Sequence, residues 1–410
     1  MKIYSVGGSV RDELLNLPIQ DRDYVVVGST PEEMSRLGYR PVGKDFPVFL
    51  HPKTQEQYAL ARTEKKISLG YKGFKVHASP EVTLQEDLAR RDLTINAIAR
   101  DQNGNIIDPF NGVADLKAGL LRHVSPAFTE DPVRVLRTAR FAARFGFHVA
   151  HETLALMNEM VSNGEIDTLV PERVWQEFSR GLMEKNPSRM FYLLHECKAL
   201  ARIMPEVDAF FGAPKSVKNH SQTGTDIHTM LAIDYAASKN YSLPVRFATL
   251  VNNFDGKLIS PEKLPNCTSQ EAHNIRLIKN LCERIRVPSD ERNLALLVTR
   301  FCSAVHRITE LDPEAVIDML QTADAYRKPR RFEEFLQACT CDFYAQPNHI
   351  EKSYSQTAWL SKALNAANSV DSGAIATRLG EGVSNSTRLS VLIKTEVRKA
   401  RIAKIKNQSA

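Results

Sequence analysis

Two textures divide the 410 residues of this chain. Over roughly the first 125, short apolar runs stand between clusters of Gly, Pro, Asp and Lys. The runs Ile3–Val6, Tyr24–Val27, Val48–Leu50 and Tyr58–Ala61 have the length and punctuation of strands separated by turns. From about Asp131 onward, apolar residues recur at three- and four-residue spacing. Examples are Val135, Leu136, Ala139 and Phe141–Ala143, then Val174, Phe178 and Leu182, the period of amphipathic helices. Pro171, Pro187, Pro205, Pro214, Pro244 and Pro288 fall between such stretches, where proline can open or close a helix. The pattern predicts an α+β chain: a small mixed head followed by a long all-α remainder, with no internal repeat. The length suits two to four small domains.

Composition changes this picture little. With 43% hydrophobic and 25% charged residues the chain is an ordinary globular protein. No apolar run is long enough to span a bilayer. The start, Met1 to Gly8, lacks the apolar stretch of a secretory signal, so a cytoplasmic location is expected. The six cysteines are scattered; only Cys339 and Cys341 are close, with no second pair or histidine at metal-finger spacing, so they read as reduced thiols. A net charge of +6 leans mildly toward a polyanionic partner.

Candidate chemistry begins with Asp21-Arg22-Asp23-Tyr24. On a strand, Asp21 and Asp23 project from one face, and adjacent carboxylates repel unless a divalent cation sits between them. An Asp-x-Asp alone is also an ordinary solvated strand entry. What strengthens it is Val6-Gly7-Gly8-Ser9-Val10-Arg11-Asp12, a strand ending in a glycine pair with a helix opening at Ser9. Backbone N–H groups at such a turn cradle anions, and Arg11 is placed to pair with a phosphate. A phosphate cradle before a carboxylate pair supplies the parts of metal-assisted phosphoryl transfer.

Two arginine constellations follow. Glu86-Asp87-Leu88-Ala89-Arg90-Arg91-Asp92-Leu93-Thr94-Ile95-Asn96-Ala97 is also what a helix surface with i,i+4 pairing looks like, with Glu86 four residues before Arg90. In Glu130-Asp131-Pro132-Val133-Arg134-Val135-Leu136-Arg137-Thr138-Ala139-Arg140-Phe141, the three arginines lie along one side of a helix. Aligned like charges destabilise a helix unless something anionic meets them, which points to a triphosphate and base site; the alternative is a solvated basic face.

In this order, Gly7-Gly8-Ser9-Val10-Arg11-Asp12, Asp21-x-Asp23, Arg90-Arg91-Asp92-x-Thr94-x-Asn96-Ala97 and Glu130-Asp131-x-x-Arg134-x-x-Arg137-x-x-Arg140-Phe141 resemble the motifs of class II tRNA nucleotidyltransferases, the CCA-adding enzymes of the polymerase-β superfamily. The resemblance implies a nucleotidyltransferase head (residues 1–140), a helical neck (141–212), a helical body (213–330) and a tRNA-binding tail (331–410). It implies addition of C, C and A to tRNA without a nucleic-acid template, from CTP and ATP, with pyrophosphate released. Asp21 and Asp23 would hold Mg2+ as the catalytic pair, and Gly8, Arg11, Arg91, Arg137 and Arg140 would bind the nucleotide. Asp131 and Arg134 would select the base: a carboxylate accepts from the exocyclic amine that C and A share, whereas G and U present a carbonyl there. Lys65 through Phe74, with Gly70 and Gly73, matches the family's flexible loop.

The chain also departs from relatives. Where many carry an acid before an aromatic, it has Gln57, leaving Glu56 as a candidate third carboxylate. Where some proteobacterial relatives carry an HD phosphohydrolase pair, it reads Asn252-Asn253, after Gly224-Thr225-Asp226-Ile227-His228. Amides are poor substitutes for imidazole and carboxylate as metal ligands, so phosphatase and cyclic phosphodiesterase activities are expected to be absent. The final stretch, Val391 to Lys406, combines apolar Val397, Ile402 and Ile405 with a row of basic residues. It reads either as a helix that docks by one side and meets phosphate by the other, or as an amphipathic terminal helix with a solvated basic side. A poly(A) polymerase, whose head carries nearly the same motifs, and a catalytically silent RNA-binding relative are the competing readings.

Overall fold

The computed structural model of the chain describes all residues except 20, 43–46, 67–73, 213–224, 253, 255–268, 350, 381–385 and 410. Two compact units account for it, Met1–Pro205 and Glu206–Ala410. No helix among the described residues is long and apolar enough to cross a membrane.

The first unit is built on β1 (Lys2–Val6), α1 (Gly8–Leu14), β2 (Asp23–Val27), α2 (Pro31–Arg36), β3 (Arg40–Val42), β4 (Val48–Leu50), β5 (Gln57–Leu60), β6 (Arg62–Lys66), β7 (Phe74–Ala78), α3 (Leu84–Ala89), β8 (Ala99–Arg100) and β9 (Ile106–Ile107). Seven strands make one mixed sheet in the order β3-β4-β5-β2-β1-β8-β9, with β2 antiparallel to β1 and parallel to β5. Alternation along β2 feeds two cores. Val25 packs with Val6, Leu88, Ala97 and Ala99, while Val26 packs with Met34, Phe49, Tyr58 and Leu60. All four apolar runs are strands here; the short β3, β8 and β9 carry too few apolar residues to announce themselves. β6 and β7 pair as a separate hairpin, and the loop expectation over Lys65–Phe74 lies largely outside the described residues.

Helices α4 (Gly112–Ala118), α5 (Val133–Phe145), α6 (His151–Ser162), α7 (Pro171–Leu182), α8 (Ser188–Glu196) and α9 (Ala199–Ile203) complete the first unit. α5 starts directly after Asp131-Pro132 and stops at Gly146, whose φ of 72° is the left-handed stop that glycine permits. α7 buries Val174, Phe178 and Leu182, the i, i+4, i+8 stripe of the sequence, and packs on α5.

Past the short α10 (Pro205–Asp208), the second unit is helical: α11 (Thr225–Ser238), α12 (Leu243–Val251), α13 (Ser269–Arg284), α14 (Ser289–His306), α15 (Pro313–Thr322), α16 (Pro329–Tyr344), α17 (Gln356–Asn368), α18 (Ser372–Gly380) and α19 (Ser386–Ser409). α11, α12, α14 and α16 pack together. α19 buries Val397 and Ile405, rests on α15, α17 and α18, pairs Arg398 with Asp318 and lays Arg401 over the Tyr326 ring. It docks by one side, while Val391 and Leu392 stay exposed.

Candidate active site

β1 ends at Val6, and the chain turns sharply at Gly7, whose φ of 70° and ψ of −126° belong to glycine. The turn is tight as well as strained. A Cβ on Gly7 would stand 2.7 Å from Arg91 Nη1. The helix therefore opens one residue earlier than the sequence pattern places it, at Gly8, with Gly7 as its cap. Arg11, on α1, is almost fully buried. Its Nε and Nη2 donate to Asp12 Oδ1 (2.8 and 2.7 Å), its Nη1 donates to Asn96 Oδ1 (2.5 Å), and it lies over the rings of Phe141 and Phe145. Desolvation lowers its pKa, and Asp12 opposes the shift.

Asp23 opens β2 opposite Val6, one residue before Gly7, so sheet register alone brings a carboxylate beside the glycine turn. Asp21 lies just outside the strand; the expectation of a strand containing both is corrected to a strand that starts at Asp23. Desolvation raises the Asp23 carboxyl, Arg91 lowers it and the neighbouring Asp21 raises it further. Two hard-oxygen donors that disfavour each other's charge are a donor set that a divalent cation relieves. The residue paired with Asp23 on β5 is Gln57, whereas Glu56 accepts from Thr54 Oγ1 (2.7 Å).

All nine site residues singled out by sequence line one cavity of about 600 Å³: Gly8, Arg11, Asp21, Asp23, Arg91, Asp131, Arg134, Arg137 and Arg140. Eight arginines and four aspartates line it, an excess of positive charge suited to a polyphosphate. Arg91 Nη2 donates to Asp87 Oδ2 at 3.3 Å, while its buried Nε has no acceptor among the described residues. A buried donor without a partner at a basic cavity fits an incoming anion.

Two alternatives raised for the arginines do not hold. The Glu86–Arg90 pair does not form. Glu86 closes a capping box with Thr83 at the start of α3, and Arg90 pairs with Asp87 at 2.8 Å. The row on α5 is not a solvated basic face either, because Arg134 and Arg140 are buried and protein anions answer much of its charge. Arg137 Nε donates to Asp92 Oδ2 (2.9 Å) and Arg140 Nε donates to Glu177 Oε2 (2.7 Å). Arg134 Nη1 and Nη2 donate to the carbonyls of Ala127 and Arg90 (2.7 and 2.6 Å).

Sequence reasoning missed the residues that hold these in place. Asp92, which lines the cavity, accepts from Arg137, from Asn96 Nδ2 (2.9 Å) and from the Leu93 N–H (2.9 Å). Burial raises its pKa, but Arg137, Asn96 and Arg134 together hold it well below the usual carboxylate range. Arg173, on α7, forms a two-pronged pair with Asp131 at 3.1 and 2.8 Å. No local signal marks Arg173, which is 42 residues from its partner.

Comparison with known proteins fits this geometry. Residues 3–122 match a family model described as Poly A polymerase head domain, and residues 146–211 match one described as a probable RNA and SrmB-binding site of polymerase A. The multifunctional CCA protein of Nitrosospira multiformis is 64% identical over 408 residues, covering 100% of this chain and 99% of that protein. That of Burkholderia lata is 56% identical over 410 residues, covering 98% and 97%. Among solved structures, a CCA-adding enzyme complexed with CTP aligns with a TM-score of 0.63 at 20% identity over 98% of this chain and 87% of that one. The Thermotoga maritima CCA-adding enzyme complexed with tRNA aligns with a TM-score of 0.58 at 20% identity over 98% and 91%. At such identity these two report a shared fold.

Proposed function

The chain belongs to the class II CCA-adding tRNA nucleotidyltransferases, and from that membership we propose that it completes the 3′ end of tRNA with C, C and A taken from CTP and ATP. The observation that carries the reading is the convergence of the glycine turn, the aspartate pair and the arginine row on one cavity. In this reading the head, neck, body and tail occupy residues 1–140, 141–212, 213–330 and 331–410, with the helical parts holding tRNA by phosphates and shape.

Asp21 and Asp23 would hold Mg2+, which supplies charge neutralisation at the reacting phosphate. Gly8 lets the backbone approach the triphosphate, and Arg11, packed against Asp12 and two phenylalanine rings, makes a rigid cationic wall for it. Arg91 offers the same anion its Nε, which has no acceptor among the described residues. Arg137 and Arg140, fixed by Asp92 and Glu177, extend the row with little rotamer freedom left to lose. Asp131 and Arg134 select the base, the carboxylate aimed by Arg173 and the guanidinium by two carbonyls. The tRNA 3′-hydroxyl displaces pyrophosphate in line at the α-phosphorus.

Phosphohydrolase chemistry of the HD type is absent in this reading. Asn252 stands where a His-Asp pair would begin and donates from its amide to Asp342 Oδ1 at 3.2 Å; Asn253 lies outside the described residues. A gel assay with tRNA ending before CCA, Mg2+, CTP and ATP tests the main reading. Growth by C, C, A followed by a stop supports it. A long A ladder moves the activity to poly(A) polymerase, and no growth leaves an RNA-binding relative.

A further inference from the structure

A second cluster of chemistry-bearing side chains lies in the other unit, outside the arginine-lined cavity. Two packed helices bring three donors to one point, two from α14 and one from α16. α14 supplies Cys302 and His306, one turn apart, and α16 supplies Asp342. His306 Nε2 lies 2.9 Å from Asp342 Oδ2 and 3.4 Å from Cys302 Sγ, and the three donor atoms all fall within 4.8 Å of one another. Zn–N, Zn–O and Zn–S bonds of roughly 2.0–2.3 Å set tetrahedral ligand atoms about 3.5 Å apart, so small side-chain shifts would seat an ion.

From this juxtaposition we infer that Cys302, His306 and Asp342 form a binding site for a thiophilic divalent metal of the zinc class, tying α14 to α16. The surrounding hydrogen bonds are those of an oriented ligand set. Tyr354 Oη meets His306 Nδ1 at 2.9 Å, leaving Nε2 to face the metal. Asn252 holds the other oxygen of Asp342, and His228 Nε2 is 3.1 Å from the Asp342 carbonyl, pinning α16 at this residue. Cys302 and Asp342 are buried, while His306 is half-buried and offers the way in. A thiolate donor favours zinc over magnesium, which prefers an all-oxygen shell. On binding, the Cys302 S–H bond breaks, its electron pair forms the metal–sulfur bond and the proton leaves to solvent. The asparagine amide beside Asp342 is a poor ligand, so the site binds metal without acquiring the hydrolytic chemistry rejected above.

The test uses the full chain carrying Asp21→Ala/Asp23→Ala, so that the head carboxylates contribute nothing, stripped with a chelator and titrated with Co2+. A thiolate-to-cobalt charge-transfer band that saturates at one ion per chain is expected. Zn2+ should bleach it and excess Mg2+ should not. The band should vanish in Cys302→Ser and in His306→Gln, each checked for an unchanged circular dichroism spectrum, and persist in Cys197→Ala, whose thiol lies in the first unit. With the head intact, Cys302→Ser should add CCA at the parent rate. No band in the stripped protein, or a band that survives Cys302→Ser, overturns the inference. Loss of CCA addition by the parent protein would sink the functional proposal and leave this one standing. Phosphodiester hydrolysis that depends on the bound metal would overturn the claim that the site is chemically silent.

Discussion

The arginine-lined cavity of the first unit and the Cys-His-Asp cluster of the second solve the same problem by different means. Both gather polar groups in places shielded from water, where an unpaired charge is costly. The cavity does so with an excess of cations, each tied to an acid or a carbonyl yet still facing an open volume, so an anion can enter without rearrangement. The cluster balances its groups against one another, His306 against Asp342 and the Cys302 thiol against His306, and has to release a proton before it can accept an ion. In the functions proposed, the electropositive cavity would exchange its ligand on every turnover, whereas the set of soft and borderline donors would keep one.

That contrast can be broken most directly at the carboxylates. Asp21→Ala/Asp23→Ala should lower CCA addition by on the order of 10³-fold or more in the gel assay. Removing two carboxylates that disfavour each other's charge should not lower the thermal midpoint.

Next in size is Asp92→Asn, which leaves Arg137 facing a neutral partner and should cost about 3 kcal/mol of stability at neutral pH. The sign follows from the depressed pKa of Asp92. Its stabilisation is present above the unfolded carboxylate range near about 3.9 and is lost as pH falls below it, so the deficit should shrink in acid. Trp175 lies in the first unit and Trp359 in the second, so urea unfolding of a Trp359→Phe background reports the first unit alone. A deficit that persists unchanged at low pH would refute the assignment.

Gly7→Ala should cost about 2 kcal/mol, from a backbone conformation that L residues avoid and from a Cβ driven into Arg91. Displacing Arg91 should also raise KM for CTP and ATP together. The smallest effect expected is that of Arg173→Ala. Without its two-pronged partner Asp131 can reorient, and kcat/KM for CTP should fall about tenfold, roughly 1.4 kcal/mol, while misincorporation of UTP rises. Equal losses for correct and incorrect nucleotides would make Arg173 a structural residue only.

The first site was legible because its parts are local. A glycine pair after a strand, two aspartates two residues apart and arginines at every third position of a helix are short-range patterns, and each put its residues on the cavity wall. What the pattern left out is the internal counter-charge: besides the external anion that aligned guanidiniums imply, Asp92 and Glu177 answer Arg137 and Arg140 from 45 and 37 residues away. The cysteines failed for a related reason. Spacing around Cys339 and Cys341 offered no histidine, yet packing of α14 on α16 brings His306 to Asp342 across 36 residues. The one local trace was Cys302-x-x-x-His306, a single helical turn.

By itself, then, the sequence determined what depends on neighbours along the chain: the strand runs, the helical stripe of α7, the start of α5 after Pro132 and its stop at Gly146, and the types of group that reach the cavity. Tertiary structure alone decided which charges are answered internally, that Arg173 steers Asp131, and that a thiol, an imidazole and a carboxylate meet in the second unit. The physical reason is range. Backbone conformation and helical periodicity are set within a few residues, whereas the pairing of a buried charge is settled by whichever distant helix packs against it.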